Sequence, residues 1–374
     1  MCEDMRVRVG DVCVGLFLLV CLVSASGVVL AQSLGLEDAA LVERARGIHD
    51  RVLTIDSHDD IPFNFATAEV DPGVQGQRQV DLVKMEAGGL DAAFFIVYVP
   101  QAGRSPENYE QARVDAMTKF RAIHRMAEEM YPERIEIAYT ADDFDRIAAS
   151  GKLVAAIGIE NGYVIGKDLS LLATYQTLGA RYITLAHGGH NDIADSATPR
   201  GNLGDGPSEH DGVSAFGEEV IAEMNRLGIM VDVSHISKAA MLDVVRVSRA
   251  PVIASHSSTR ALASHPRNLD DEQLLALRDN GGVIQVGAVG AFVSETAEAR
   301  SAAILALRAE FGQGTRGGDL SDLTEFQRSE YERRVVAIDE EWPPVDVGMF
   351  VDHIDYAVEL MGIDYVGISS DFDG

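Results

Sequence analysis

The side chains best suited to chemistry in this chain are imidazoles and carboxylates that end short apolar segments. Each of the following residues takes the last position of a predicted strand: His58, Glu160, His187, His235, His256 and Asp371. Imidazole and carboxylate ligands without thiolates are typical of catalytic sites for Zn²⁺ or a similar divalent cation. All 3 cysteines lie at or before position 21, so we expect no thiolate ligand, disulfide or cysteine nucleophile in the folded part.

The segment DSHDD at 56–60 carries the first candidate ligand pair. Side chains at positions i and i+2 of an extended segment point to the same side, so His58 and Asp60 are placed to hold one cation while Asp59 points elsewhere. A His-x-Asp pair alone is weak evidence, because hydrogen bonding within a loop explains it more simply. The metal interpretation becomes the better one because further candidate ligands end separate strands, namely Glu160, His235 and His256.

Short β-branched runs position these side chains. They alternate with segments whose apolar residues recur at every third and fourth position, as in helices that cover a sheet. The runs occupy residues 52–58, 92–99, 153–160, 181–187, 229–235, 251–256, 282–288 and 364–371. Strands that are apolar on both faces and separated by helices indicate parallel βαβ units. The sequence therefore predicts an α/β fold, a (β/α)8 TIM-type barrel with the metal site at the C-terminal rim of the strands, with an open doubly wound sheet as the alternative.

Two stretches depart from this rhythm. The connection at about 289–344 is longer than usual, and we expect it to add helices and a lid or subunit contact. The chain stops soon after Asp371, where an eighth helix is expected. We therefore interpret residues 32–374 as a C-terminally truncated barrel, a fragment or a natural truncation, whose seam between the last and first strands is exposed.

Residues 1–31 are predicted to be a secretory signal peptide. The apolar run VCVGLFLLVCLV at 12–23 is followed by small residues, which favours cleavage near Ala31. The exported protein is then secreted or periplasmic and has no stable membrane span. The alternative is an uncleaved N-terminal anchor, because the uncharged run is about as long as the roughly 20 residues that cross a bilayer.

Charge and composition exclude other classes of protein. The formal net charge of −28 and the absence of a basic stripe argue against nucleic-acid binding. A hydrophobic content of 47% without low-complexity tracts argues against disorder.

From about residue 45 to 374 the chain resembles the membrane (renal-type) dipeptidases of peptidase family M19, a branch of the amidohydrolase barrels. The resemblance depends on motifs that occur in order: IDSHDDIPF, GIENG, LAHGGHND, VDVSH, SHSSTRAL continuing to HPRN, DHIDY and GISSDFDG. Many other amidohydrolases open with His-x-His and use a carboxylated lysine on the fourth strand. This chain has His-x-Asp and no lysine at that position, so the dipeptidase branch is the better match.

The resemblance implies zinc-dependent hydrolysis of dipeptides by a metallo-dipeptidase that binds two Zn²⁺ ions. It assigns His58 and Asp60 to one zinc, His235 and His256 to the other, and Glu160 to both as the bridging carboxylate. A hydroxide that bridges the metals is then expected to attack the amide carbon.

Three further roles follow from the same resemblance. His187 is expected to contact the scissile group, Arg267 to bind the terminal carboxylate of the substrate, and Asp371 to shuttle protons. The resemblance also implies a homodimer. Two alternatives stay open: another metal-dependent amidohydrolase that acts on N-acyl amino acids, lactones or cyclic amides, and a non-catalytic, truncated metal-binding protein.

Overall fold

The computed structural model describes residues 39–313 and 323–374. The chain divides after Leu53. Before this point the described residues form helix Ala39–His49, and Thr54–Gly374 form the barrel. The predicted signal peptide lies outside the described residues and stays a prediction. Within the two described ranges, no helix combines the length and apolar character that crossing a membrane requires.

A single parallel sheet forms the centre of the barrel. The strands of the described residues are β1 (Ile55–Asp60), β2 (Ala92–Tyr98), β3 (Ile135–Ile137), β4 (Leu153–Glu160), β5 (Ala180–Thr184), β6 (Met230–Asp232), β7 (Ile253–Ser257), β8 (Val283–Gly287) and β9 (Val366–Ser369). They pair in the order β1-β2-β4-β5-β6-β7-β8-β9, and β3 pairs with β4 beside this path. This nearly closed, 8-stranded parallel path confirms the predicted (β/α)8 TIM-type fold.

Helices occupy most of the connections between these strands. The α-helices of the barrel unit are Leu82–Gly88, Pro106–His124, Ala141–Ala149, Ser170–Thr177, Ala215–Leu227, Lys238–Val247, Asp271–Asp279, Gly290–Val293, Ala297–Glu310, Glu325–Glu341 and Val347–Met361. Shorter helical segments are the π-helix Arg125–Met130 and the 3₁₀ turns Gly162–Ile165, Gly201–Leu203 and Ile363–Tyr365.

The segment before β6 shows how local sequence builds one repeat. The hydroxyl of Ser214 accepts a hydrogen bond from the Gly217 amide and begins helix Ala215–Leu227. Val220 lies on the buried face of this helix. Gly228 ends it with a φ of 72°, which a glycine adopts at little cost, and the chain then enters β6.

Side chains of β2 alternate between the interior of the barrel and the layer beneath the helices. Phe94 and Ile96 pack inside with Tyr182 of β5, whereas Phe95 and Val97 belong to the larger core that the helices cover. Each such buried side chain contributes about 1.5–3 kcal/mol. Every second residue of a strand points to the interior of the barrel. The same alternation therefore determines which side chains at the strand ends point into the mouth of the barrel.

The seam between β9 and β1 is held by a few hydrogen bonds in place of a long ladder. The Asp60 amide donates to the Phe372 carbonyl at 2.9 Å, and the Ser370 amide donates to Oδ1 of Asp56 at 3.0 Å. Ile368 of β9 is 55% exposed. Side-chain oxygens of β1 thus accept hydrogen bonds that backbone carbonyls accept in a regular pair of strands.

The observed strand ends differ from the predicted ones. Of the six predicted strand ends, only Glu160 ends its strand in the structure. β5 and β6 end before His187 and His235. His58 and His256 lie inside β1 and β7. The sequence also failed to predict β3, whose three residues are too few for a periodic signal.

The long connection at 289–344 contains helices, as expected. Leu307, Leu323 and Tyr331 pack into a small apolar cluster of their own. Residues 314–322 lie outside the described part of the chain. A lid or subunit contact in this connection stays a prediction.

Candidate metal centre

Seven of the sequence-predicted site residues meet at the C-terminal rim of the strands. Their potential ligand atoms form overlapping groups, each with all atoms within 4.8 Å of one another. The groups are His58, Glu160 and His256; Glu160, His187 and His235; and His58, Asp60 and Asp371.

Glu160 at the end of β4 is the centre of this arrangement. Its Oε1 lies 2.8 Å from Nε2 of His235, 3.4 Å from Nε2 of His256 and 3.5 Å from Nε2 of His187. Its Oε2 lies 3.7 Å from Nε2 of His58. The two oxygens therefore face different imidazoles, which is the geometry that a carboxylate needs to contact two cations.

A second carboxylate group surrounds His58. Nε2 of His58 lies 3.5 Å from Oδ2 of Asp60 and 3.8 Å from Oδ1 of Asp371. Asp59 turns away from the site and accepts a hydrogen bond from Ser370 at 3.2 Å. The alternation predicted for His58, Asp59 and Asp60 thus agrees with the structure.

The ligand atoms themselves indicate that a cation fits here. Nε2 of His58 is buried and has no hydrogen-bond partner among the described residues. Nε2 of His235 and Nε2 of His256 point at each other across 2.8 Å and share Oε1 of Glu160. Several nitrogen and oxygen lone pairs directed at the same small volume suit a divalent cation such as Zn²⁺.

Tyr182 orients the His58 ring from inside the barrel. The tyrosine hydroxyl donates to the Ser57 carbonyl at 2.9 Å, so Nδ1–H of His58 donates to this hydroxyl at 3.0 Å. Nε2 is then the atom that faces the site. Gly158 makes room for Tyr182, because a Cβ at that position would lie 2.3 Å from the tyrosine ring.

His256 is oriented in the same way by a serine and a buried carboxylate. The hydroxyl of Ser255 donates to Oδ2 of Asp232 at 2.7 Å, so Nδ1–H of His256 donates to Ser255 at 2.8 Å. Asp232 also accepts hydrogen bonds from the hydroxyl of Thr184 and the amide of Ser234. These partners fix the carboxylate, and through Ser255 they direct Nε2 of His256 towards Glu160.

Burial and mutual charge set the protonation of the site. Burial lowers the pKa of His235 and His256 well below the usual value, which favours the neutral imidazole that binds cations. Burial opposes ionisation of Glu160. The imidazoles of His187 and His58, together with the hydrogen bonds from His235 and His256, outweigh it and hold the pKa of Glu160 well below its usual range. Burial raises the pKa of Asp371 to about 7, and the carboxylates of Glu160 and Asp60 act in the same direction.

Backbone strain accompanies two of these residues. His235 and Asp371 adopt φ angles of 68° and 58°, in the left-handed region that non-glycine residues rarely occupy. Such strain is often found where a fold directs a side chain into a functional site.

A cavity of about 520 Å³ opens beside the cluster. It is lined by Glu160, His187, His235 and Asp371, and also by Tyr98 and Lys119. The ring of His187 packs against Tyr98, with the ring centroids 4.7 Å apart, and its Nδ1 is buried without a hydrogen-bond partner.

Arg267 lies beside the cluster and is not among the residues that line this cavity. Its Nη2 donates to the His256 carbonyl at 3.2 Å, and its Nε is buried without a partner. Burial lowers the pKa of Arg267 to about 10, so the side chain stays a cation at neutral pH. It is therefore a buried positive charge with unused donor capacity beside the predicted ligands.

Sequence reasoning missed the supporting residues of this site. Asp232 lies within the VDVSH motif and Ser255 precedes His256. Their closeness in sequence to candidate ligands is the one feature that could have identified them as supporting residues. Nothing in the sequence around Tyr182 or Lys119 distinguishes them from ordinary core and surface residues.

We expect the substitution Asp232→Asn to weaken metal binding by about 10–100-fold, the usual cost of losing a partner that orients a ligand. An amide in place of the carboxylate turns an NH₂ group towards donors and disturbs the Ser255–His256 contact. Metal affinity measured by competition with a chromophoric chelator tests this. Asp279→Asn at the exposed end of helix Asp271–Asp279 is the control. Equal affinities of the Asp232→Asn protein and the wild type would contradict the orienting role.

Comparison with known proteins gives concordant results. Residues 42–374 match the family described as membrane dipeptidase, peptidase family M19. Curated relatives include Dipeptidase tcpJ of Claviceps purpurea, 32% identical over 79% of this chain and 58% of the relative, and Dipeptidase aclJ of Aspergillus oryzae, 32% identical over 79% of this chain and 59% of the relative. The chain thus spans somewhat over half the length of these two proteins. Among solved structures, the probable dipeptidase PvdM from Pseudomonas aeruginosa is similar with a TM-score of 0.75 and 33% identity, over 88% of this chain and 86% of that one.

Proposed function

The chain belongs to the membrane dipeptidase family, peptidase family M19, and from this membership and the geometry of the rim we propose that it is a metal-dependent dipeptidase. The observation that carries the proposal is Glu160, whose two oxygens face His58 on one side and His235 and His256 on the other. We propose two zinc ions as the resident cations, with Asp60 completing the ligand set.

Cations held by these residues would supply Lewis-acid polarisation of the scissile carbonyl and would lower the pKa of a water bound to them. The residues of the chain supply the remaining functions. Glu160 and its imidazole partners hold the cations in place, and the lowered pKa of His235 and His256 keeps these rings available as ligands.

His187 and Asp371 are placed to handle charge and protons. His187 lines the cavity, and we assign it the contact with the carbonyl oxygen of the scissile amide as negative charge develops there. Asp371 lies on the side of Glu160 opposite His187. We assign it the transfer of a proton from the attacking water to the leaving amine. A divalent cation nearby would favour the ionised form of Asp371, whereas burial raises its pKa and favours the protonated form.

Arg267 is assigned to the terminal carboxylate of the substrate. A buried guanidinium with a free Nε can form a strong paired contact with a carboxylate. A substrate held at this charge ends one residue beyond the scissile bond, so dipeptides are preferred over long peptides. The homodimer stays a prediction from the sequence.

The test is metal-dependent turnover by the purified chain. We expect Ala-Ala to be cleaved to alanine, chelation to stop cleavage, and added Zn²⁺ to restore it. Ala-Ala amide lacks the terminal carboxylate and should be cleaved at least about tenfold more slowly, since a contact to a charged group is worth about 1.5–3 kcal/mol. Amino-acid release is measured by chromatography.

Other outcomes identify the competing functions. Cleavage confined to N-acyl amino acids, lactones or cyclic amides would reject the dipeptidase in favour of another metal-dependent amidohydrolase. Stoichiometric metal content without turnover of any of these compounds would indicate a metal-binding protein without catalytic activity.

A further inference from the structure

A buried lysine without a partner lies in the wall of the cavity beside the metal centre. Lys119 is only 3% exposed, although it lies on helix Pro106–His124, which follows β2. Within residues 39–313 and 323–374, its Nζ donates no hydrogen bond and has no carboxylate oxygen within 4.0 Å. The stem of the side chain is buried, whereas Nζ is not among the buried atoms that lack a partner and so keeps access to the cavity. A cation that faces a cavity without an ion pair is available to an anionic ligand.

The surroundings of Lys119 hold the ammonium in place without neutralising it. Nζ lies 5.2 Å from the ring centre of Phe63 and 5.5 Å from that of Tyr98, and both rings line the same cavity. The other basic side chain in this wall, Arg78, is already engaged: its Nε lies 3.2 Å from Oδ2 of Asp373. Lys119 therefore offers the cavity an unsatisfied positive charge.

Lys119 and Arg267 lie on opposite sides of the barrel mouth. Lys119 contacts the end of β2 through Tyr98, and Arg267 contacts β7 through the His256 carbonyl. In the strand order β1-β2-β4-β5-β6-β7-β8-β9, β2 and β7 face each other across the ring. The metal-ligand cluster lies between these two positive charges.

We propose that Lys119 is a specificity-determining residue that binds an anionic side chain on the N-terminal residue of the dipeptide. This inference rests on the proposed function, in which Arg267 holds the terminal carboxylate of the leaving residue. Because the two cations lie on opposite sides of the cluster, Lys119 faces the acyl residue. The preferred substrates are then dipeptides that begin with glutamate or aspartate.

The chemistry of the cavity supports an anion at this position. Burial lowers the pKa of Lys119, and the carboxylates of Asp60 and Glu160 oppose this effect. Once cations neutralise these two carboxylates, a substrate carboxylate becomes the natural partner of the ammonium. A neutral side chain at the same place covers the ammonium without pairing with its charge, which is the source of discrimination.

The experiment compares kcat/KM for Glu-Ala, Gln-Ala and Lys-Ala. We expect the wild type to prefer Glu-Ala over Gln-Ala by about tenfold or more, and to cleave Lys-Ala least well, because a hydrogen bond to a charged group is worth about one decade or more in rate. K119M should reduce the Glu-Ala to Gln-Ala ratio to about one, K119R should retain the preference, and K119E should favour Lys-Ala over Glu-Ala. Arg121→Met, on the exposed face of the same helix, is the matched control and should leave the ratio unchanged.

The ratios separate this inference from its alternatives. A wild-type ratio near one overturns it, whether or not K119M folds. A uniform loss with all three substrates in K119M also overturns it, since Lys119 then binds a group common to every dipeptide or only supports the fold. If the metal-loaded wild type cleaves none of the dipeptides, the proposed function itself fails.

Discussion

Glu160→Gln is expected to decrease dipeptide hydrolysis and metal retention together. The two carboxylate oxygens contact imidazoles on both sides of the site, at 2.8 Å for His235 and 3.7 Å for His58. A glutamine keeps the shape but removes the charge, and its NH₂ group faces one of the proposed cation positions. Lewis-acid assistance is worth several kcal/mol, and about 4 kcal/mol corresponds to a decrease of roughly a thousandfold in kcat.

Metal content by mass spectrometry and kcat on Ala-Ala should fall in the same protein. Glu136→Gln is a suitable control, because Glu136 lies on β3 and pairs with Arg146 and Lys152 away from the rim. Full occupancy with full activity in the Glu160→Gln protein would remove Glu160 from the centre.

Asp371→Asn is expected to reduce kcat by about 10²–10⁴, the usual contribution of a positioned acid or base, while metal content and KM stay near wild-type values. Its Oδ1 lies 3.8 Å from Nε2 of His58, close enough to the cluster to exchange protons with a reacting group. Asparagine preserves the size of the side chain but neither accepts nor returns a proton at neutral pH.

Single-turnover kinetics together with metal analysis distinguish a proton carrier from a ligand. Asp364→Asn, at an exposed position before β9, is the control. Loss of one metal equivalent in parallel with activity would mean that Asp371 acts mainly as a ligand, and unchanged kcat would exclude it from the reaction.

The sequence predicted the barrel because its strands are short, apolar and regularly separated by helices. It located the strands that carry His187 and His235 but placed their ends too late. Apolar character continues beyond the last residue that has a backbone partner, as in Leu185 and Ala186, which are buried outside any strand. Hydrogen-bond pairing depends on the neighbouring strand, and a local pattern contains no information about it.

The candidate ligands were predictable because each had a recognisable neighbour in the sequence, whereas the residues that support them were not. Tyr182 supports His58 from another strand, more than a hundred positions away along the chain. Lys119 lies on a helix, where a lysine normally faces solvent. Only the packing of that helix over β2 turns its charge inward, and packing of this kind is a property of the assembled barrel.

Because few hydrogen bonds join β9 to β1, the proposed metal centre would also stabilise the contact between these two strands. His58 and Asp60 belong to β1 and Asp371 follows β9, so a cation bound among them, as proposed, would link the first strand to the last. A ligand that binds only the folded chain stabilises it by RT ln(1 + [L]/Kd), about 4 kcal/mol at a thousandfold excess over Kd. Metal binding would then add to the stability of the contacts between β9 and β1, and removal of metal should loosen this junction before any other part of the sheet.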